Sequence, residues 1–531
     1  MSVLRPENNF SCIILHANKQ NLLKQEVYSM KSKSLLLVIS ALALVGCGRT
    51  SATETDKPAD TGNTADTGNG GNTEAIVASY DALRVAYKLS GENLIRAEVA
   101  IRNNKAEKVI FNEVQIGAQA LATANVTEAS DKVFTVAGKY GNSYVSKYLN
   151  FNGTVYAGTL AEDGKSVTFA NYATTYTTQA ELATAYYAVV NNFVYGSNAN
   201  GDNLGITHQY DKASASSTYW PKSSYAPLGW KGNIAKIEEA LEGKNLSTDT
   251  LPTMEQTGAT ITSYQSYLDA AKAAFEGSSK VAVQYGRDMI EGREKNGHSM
   301  CVAKVEVAFG ADKKVEKVFI NETDQFLSLA ATLSEEDKTV ITGDNVVSFS
   351  EKKTTKTSET TVETTTVTDY SKYISVAGKV WTGTAYETKV NKEAIKFSDG
   401  THEDALEYYG SSLALSQEYY NAAFLHQIDK VSADGTVLAE GTRGNGTATK
   451  AELGNLYWNR NNDKVIDGSQ WKWNIDKLQK GFIGLDFSTE LSIVKDDTSL
   501  TWKIGTVDTG ATMTEGETFF NFVKVAYSYL A

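Results

Sequence analysis

The chain has 531 residues, a formal net charge of −12 and three cysteines. So acidic a balance argues against nucleic acid as a partner, and so few cysteines cannot staple a fold of this length. Length beyond the leader suits two or three domains, whose cores must come from packing.

Residues 1–29 carry no clear hydrophobic period, and Met30 reads as the natural start, with an unusually long n-region from Met1 as the alternative. From there Lys31 and Lys33 precede the apolar run Leu35 to Val45 and then Gly46-Cys47. A basic region, a short apolar stretch and a small residue before the cleavage point make a secretory signal. The run is too short for a comfortable transmembrane helix. Leu44-Val45-Gly46-Cys47 resembles the bacterial lipobox, whose cysteine is lipidated and becomes the mature N-terminus. That likeness implies a leader over 1–46 and a lipid anchor on Cys47. Residues 47–75 repeat Ala-Asp-Thr-Gly-Asn at Ala59 and Ala65 and hold no aromatic residue. They bury too little apolar surface to offset ordering entropy and read as a flexible tether.

The remainder repeats itself. Glu98-Val99-Ala100 followed by Glu107 to Glu113 matches Glu306-Val307-Ala308 followed by Glu316 to Glu322, each an alternating hairpin. Thr135-Val136-Ala137-Gly138-Lys139 matches Ser375-Val376-Ala377-Gly378-Lys379. Trp230-Lys231-Gly232-Asn233-Ile234 matches Trp471-Lys472-Trp473-Asn474-Ile475. The spacings agree, 230 − 136 = 94 against 471 − 376 = 95. Helical segments sit midway, Gln179 to Phe193 and Glu403 to Phe424, each with Tyr-Tyr pairs. Extra residues in the second copy include Glu351 to Thr368, whose β-branched alternation reads as an exposed ribbon, with disorder as the alternative. The expected fold class is α+β: two tandem duplicated domains over 76–276 and 277–531, each a small sheet with flanking helices. Cys301, the one cysteine in this part, reads as a small buried residue.

One hexapeptide organises both copies. Thr257-Gly258-Ala259-Thr260-Ile261-Thr262 recurs as Thr509-Gly510-Ala511-Thr512-Met513-Thr514. Each precedes an amphipathic helix, and Thr262 with Gln265, or Thr514 with Glu517, spells a capping box. Glycine allows a positive φ, alanine leaves room beside the backbone, and a helix N-terminus favours phosphate. Alone, such a hexapeptide is a loop closing onto a helix. Two copies with matched caps favour a phosphate site beside the hydroxyls of Thr260 and Thr512.

Thr-Gly-Ala-Thr followed by a hydroxylated residue resembles the flavinylation motif of FMN-binding domains. These occur in sodium-pumping NADH:quinone reductases, in Rnf complexes and in bacterial lipoproteins for extracellular electron transfer. The resemblance implies FMN joined by a phosphoester to the last threonine, here Thr260 and Thr512, through a dedicated flavin transferase. It also places Thr257, Gly258, Ala259, Thr509, Gly510 and Ala511 around the cofactor. The family's aspartate three positions before the first threonine is Met254 or Thr506 here, with Glu255 and Asp508 in another register.

Trp230 and Trp471 are carried as ring or wall contacts of the flavin, against the plainer reading of core residues. Tyr219-Trp220 and Tyr457-Trp458 are further aromatics of the same kind, and Trp473 and Trp502 add to them in the second copy. Lys139 and Lys379 are offered as phosphate or flavin-carbonyl contacts, against solvated strand-end lysines. His16, His208, His298, His402 and His426 show no metal-ligand spacing, and no P-loop, dinucleotide fingerprint or nucleophile elbow appears. The function implied is a lipid-anchored electron carrier on the extracytoplasmic face of a bacterial membrane, rather than a classical enzyme. Its electrons would come from a membrane reductase or quinol-linked donor. The rival reading is a surface lipoprotein for binding or adhesion on the same fold without flavin.

Overall fold

The computed structural model describes residues 79–530, apart from 125, 127, 140, 171, 173–175, 192, 208–210, 214–226, 289–300, 324–325, 357–360, 388–392, 426, 442–448 and 454–470. The expectations for the leader, Cys47 and the tether lie outside the described residues. So do those for Tyr219, Trp220, Tyr457 and Trp458. Every described residue belongs to the compact unit Ala75–Ala531.

The N-terminal part runs β1 (Ala82–Ser90), β2 (Asn93–Arg102), β3 (Lys105–Gln115), α1 (Ala118–Leu121), β4 (Val133–Gly138) and β5 (Gly141–Ser146). It continues with β6 (Tyr148–Phe151), β7 (Thr154–Leu160), β8 (Val167–Phe169), α2 (Gln179–Val190), β9 (Val194–Ser197), β10 (Asn203–Thr207), α3 (Gly229–Leu241), α4 (Met254–Thr257) and α5 (Tyr264–Glu276). The C-terminal part runs β11 (Val281–Asp288), β12 (Cys301–Phe309), β13 (Val315–Glu322), α6 (Phe326–Ala331), β14 (Val346–Lys356), β15 (Thr361–Ser371), β16 (Tyr373–Val376), β17 (Lys379–Glu387) and β18 (Glu393–Ser398). Then come α7 (Ala405–Tyr409), α8 (Leu413–Phe424), β19 (Ile428–Val431), β20 (Val437–Ala439), α9 (Lys450–Leu453), α10 (Trp471–Phe482), β21 (Ile493–Lys495), β22 (Trp502–Ile504), β23 (Val507–Asp508) and α11 (Gly516–Ser528). Antiparallel sheets with a few helices make the fold α+β.

The central sheet has the order β13-β12-β11-β1-β2-β3, so both expected hairpins lie in one sheet. β1 and β11 lie between them and join them, pairing through Arg84↔Ala282 and Val85↔Val281. Alternation assigns the faces: Ile95, Ala97, Val99 and Ile101 of β2 point one way, Leu94, Arg96, Glu98 and Ala100 the other. On the first face α3 and α5 cover the N-terminal strands, and α10 and α11 cover the C-terminal strands. The opposite face is buried in one common core with α2, α8 and two five-stranded sheets, β10-β9-β6-β7-β8 and β20-β19-β16-β17-β18.

The ribbon over Glu351 to Thr368 is present as β14 paired with β15. The expected helix Gln179 to Phe193 is α2, opened by a capping box between Thr178 and Glu181. Glu403 to Phe424 is two helices, broken at Gly410 and capped separately by Asp404 and Ser412. Cys301 is buried.

One sequence match does not survive as a structural one. Thr135 to Lys139 lies on β4 and its turn, in the two-stranded sheet with β5. Ser375 to Lys379 instead makes the β16–β17 turn, with Ala377 at φ 49° and Gly378 at φ 86°. The corresponding turn in the N-terminal part is Asn152 at φ 50° and Gly153 at φ 87°, between β6 and β7. That register sets Ser146-Lys147-Tyr148 against Ser371-Lys372-Tyr373. In each triplet the serine hydroxyl donates to the tyrosine carbonyl, at 2.8 and 2.7 Å. In each the lysine carbonyl accepts a glycine N–H, from Gly158 at 2.8 Å and from Gly383 at 2.6 Å. Val-Ala-Gly is a generic hairpin signal, because two-residue turns with positive φ recruit glycine anywhere.

Candidate functional site

Helix α3 turns Trp230, Ile234, Ile237 and Leu241 inward, and α10 does the same with Trp471, Ile475, Leu478 and Phe482. This i, i+4, i+7 stripe packs each helix on the sheet. Asn233 and Asn474, three residues after each tryptophan, are also buried. A buried amide must be hydrogen-bonded, and both find the same partner. Asn233 Oδ1 accepts the Thr260 N–H at 2.5 Å and the Thr260 hydroxyl at 3.3 Å. Asn474 Oδ1 accepts the Thr512 N–H at 2.8 Å and the Thr512 hydroxyl at 3.1 Å.

The rest of each motif holds that threonine out. Thr257 Oγ1 donates to the Met254 carbonyl at 2.7 Å and accepts the Ala259 N–H at 3.0 Å. Thr509 Oγ1 donates to the Trp502 carbonyl at 2.8 Å and accepts the Ala511 N–H at 3.1 Å. Gly258 and Gly510 sit at φ 70° and 71°, a conformation that favours glycine. Ala259 and Ala511 are buried, as are Ile261 and Met513, while Thr260 and Thr512 between them are exposed. Two apolar anchors thus pin an accessible hydroxyl whose hydrogen is directed to an amide oxygen.

A lysine from the same helix attends each turn. A Cβ on Gly258 would lie 3.3 Å from Lys236 Nζ, and one on Gly510 would lie 3.8 Å from Lys477 Cδ. In the second motif Lys495 Nζ also donates to the Met513 carbonyl at 3.1 Å. An exposed secondary alcohol with a lysine side chain beside its turn is a set that suits a phosphoryl group.

The capping boxes expected at Thr262 and Thr514 do not form. Helix α5 begins at Tyr264 behind Ser263, α11 begins at Gly516 behind Glu515, and neither has a side-chain cap. Close packing fixes the second start, since a Cβ on Gly516 would fall 2.5 Å from the Trp502 indole. The Thr514 hydroxyl donates to Glu515 Oε1 instead. A capping box lies upstream of the first motif, between Thr253 and Gln256 on α4. The N–H groups of Ala259, Thr260, Ala511 and Thr512 are committed to side chains. A phosphate there would therefore be met by the hydroxyl and the lysines rather than by a backbone cup.

Trp230 and Trp471 are 2% and 4% exposed, so their place is in the core rather than on an open wall. Trp230 Nε1 donates to Tyr267 Oη at 3.1 Å and to Glu113 Oε2 at 3.3 Å. Lys212 and the Tyr267 hydroxyl also donate to this buried carboxylate. Trp471 Nε1 donates to Glu322 Oε2 at 2.9 Å, and Lys450 Nζ reaches the same oxygen at 2.5 Å. Sequence reading misses this pair of lysines. The signal was present: Lys212-Ala213 and Lys450-Ala451 each stand eight residues before a tryptophan, Trp220 and Trp458. Lys139 is exposed. Lys379 pairs with Asp399 at 2.8 Å and lies over the rings of Trp381 and Tyr408.

A second polar cluster occupies the common core across β2, β1, β11 and β12, between the two hairpins. Arg96 Nη2 lies 2.6 Å from both Glu98 and Glu306, and Lys304 Nζ lies 3.7 Å from Glu306. The hydroxyls of Tyr87 and Tyr187 donate to Glu306, and that of Tyr285 to Glu98. Gln417 Nε2 donates to Glu98 Oε1 at 2.5 Å. Burial first, then the carboxylates, pushes the three phenols well above their usual range. Burial and the Arg96 charge bring Lys304 down to about 8, against the pull of Glu306 and Glu98. Two cations face two carboxylates, so the cluster balances its charge within the core.

Among the described residues no group of His, Cys, Asp and Glu is placed to hold a metal ion, and no helix is long and apolar enough to cross a membrane. No protein-family model, curated protein or solved structure matches the chain.

Proposed function

We propose that the chain is a membrane-anchored, extracytoplasmic electron carrier with two FMN-binding-like halves and FMN esterified to Thr260 and Thr512. One observation carries the reading. Two exposed threonine hydroxyls, far apart in sequence, are fixed by the same asparagine contact, the same glycine turn and a lysine of the same helix. Covalent FMN would supply one- and two-electron chemistry that cannot be lost by dissociation outside the cell. The chain's own part is to orient the hydroxyl through Asn233 or Asn474 and to balance phosphate charge with Lys236, or with Lys477 and Lys495. The lipid anchor at Cys47, the flavin transferase and a membrane reductase or quinol-linked donor belong to the same proposal.

The test is co-expression of the full chain with a flavin transferase, followed by intact mass and in-gel flavin fluorescence. Thr260→Ala, Thr512→Ala and the double variant run alongside. The expected result is two FMN adducts, one lost with each threonine and none in the double variant. An unmodified, colourless wild-type chain would overturn the reading and favour a binding lipoprotein without flavin.

A further inference from the structure

We propose that Trp473 is the ring contact of the flavin carried at Thr512, and that it makes the two centres unequal; this rests on the flavin reading above. Trp473 belongs to α10, and its indole is 40% exposed. The neighbours that define the inward stripe, Trp471 and Ile475, lie about 200° around the axis from it, at 100° per residue. The side chain is thus directed away from the sheet. It is also directed toward the motif's flank. Asn474, the next residue, bonds Thr512, and Lys477 reaches Gly510. Trp473 sits one turn from Lys477, about 6 Å along the axis and about 40° around it. A flavin ring hanging from Thr512 on its ribityl arm would meet this indole just beyond the lysine.

Among the described residues, helix α3 of the N-terminal half offers no matching side chain. Gly232 stands at the corresponding position of α3, where a Cβ would already be 3.2 Å from Leu228 Cβ. An indole face is a strong partner for a planar aromatic ring and, as an electron donor to an excited flavin, quenches its emission. The centre at Thr512 is therefore the dim, ring-stacked one, and the centre at Thr260 the bright one.

The experiment isolates each centre in the full chain co-expressed with a flavin transferase. Thr260→Ala leaves flavin at Thr512 alone, and Thr512→Ala leaves it at Thr260 alone. Intact mass is read first, and the absence of an adduct at Thr512 in the otherwise unsubstituted chain would sink the covalent-flavin reading and this proposal with it. With the adduct present, fluorescence per flavin in Thr260→Ala is expected to be several-fold below that in Thr512→Ala. Adding Trp473→Ala is expected to restore it, with the visible absorption shifting toward that of free FMN. Trp473→Phe keeps a stacking ring without the indole donor, so it is expected to raise emission while the absorption stays in place. If Trp473→Ala leaves emission and absorption of the Thr512 flavin unchanged, the ring does not lie on Trp473 and the proposal fails, whatever the adduct count. Trp473 lies outside the core, and an unchanged melting temperature in both variants confirms that the readout is local.

Discussion

Asn474 and Thr512 are joined twice, since one amide oxygen receives both the threonine's N–H at 2.8 Å and its hydroxyl at 3.1 Å. The contact orients the hydroxyl and ties the motif to α10 at once. Asn474→Ala should therefore lower FMN occupancy at Thr512 while leaving Thr260 modified, and Asn233→Ala should do the reverse. Each should also cost about 1–2 kcal/mol of stability, the usual loss when buried hydrogen bonds are left unmade. Peptide mapping by mass measures occupancy site by site. Full modification of both threonines in both variants would show that the asparagine is only a structural tie.

The glycine of each turn carries its own test. Gly258 and Gly510 hold φ near 70°, so a Cβ costs roughly 1 kcal/mol at either position. Gly258→Ala should cost more than Gly510→Ala, because its Cβ meets Lys236 Nζ at 3.3 Å whereas the other meets Lys477 Cδ at 3.8 Å. Urea denaturation of the two variants ranks them. Equal losses would mean that the lysine swings aside freely.

What the sequence reveals and hides here follows from physical range. The hairpins of Glu98 and Glu306 were legible because alternation is a local property of strands. The ribbon of Glu351 to Thr368 was legible for the same reason. The Val-Ala-Gly match misled because a hairpin turn selects similar residues wherever it occurs. The structural match, Ser-Lys-Tyr, is marked by hydrogen bonds to its own tyrosine carbonyl and to glycines on neighbouring strands, which leave no local signature. The second capping box failed because Trp502 packs on Gly516, a contact with no local signature. Nor can composition tell a tryptophan that stacks a ligand from one that hydrogen-bonds a buried glutamate. Trp230 and Trp471 are of the second kind, whereas the motif's Thr260 and Thr512 are exposed.

The central cluster predicts how the halves unfold. Arg96 comes from one hairpin and Glu306 from the other, and Glu306 also receives Tyr87, Tyr187 and Lys304. Glu306→Gln leaves the buried guanidinium short of a counter-charge and should cost about 3–5 kcal/mol. Because β1 and β11 share a sheet, unfolding should remain one transition, shifted downward for both halves together. Circular dichroism and tryptophan fluorescence should trace the same curve. Two separated transitions, or a loss below about 1 kcal/mol, would mean that the cluster does not couple the hairpins.

Glu238 supplies a pH test with a built-in comparison. Its Oε1 accepts the Phe111 N–H at 2.8 Å, and burial pushes the carboxyl up to about 7 against that hydrogen bond. The matching position of α10 is Gln479, whose Oε1 accepts the Ile320 N–H at 2.7 Å without any charge to titrate. A carboxyl with a raised folded-state value contributes stability that is fully present below its unfolded value, and that contribution is lost as pH rises through the folded value. The window therefore runs from about 4.5 to about 7. Across it the wild type should lose roughly 1–3 kcal/mol, at about 1.4 kcal/mol per unit of displacement for a half-buried side chain. Glu238→Gln keeps the acceptor for Phe111 and removes the titration. It should match the wild type near pH 4.5 and exceed it above pH 7 by that same amount. Urea midpoints of both proteins across this range decide the matter. Parallel curves would mean that Glu238 ionises in the folded chain without penalty.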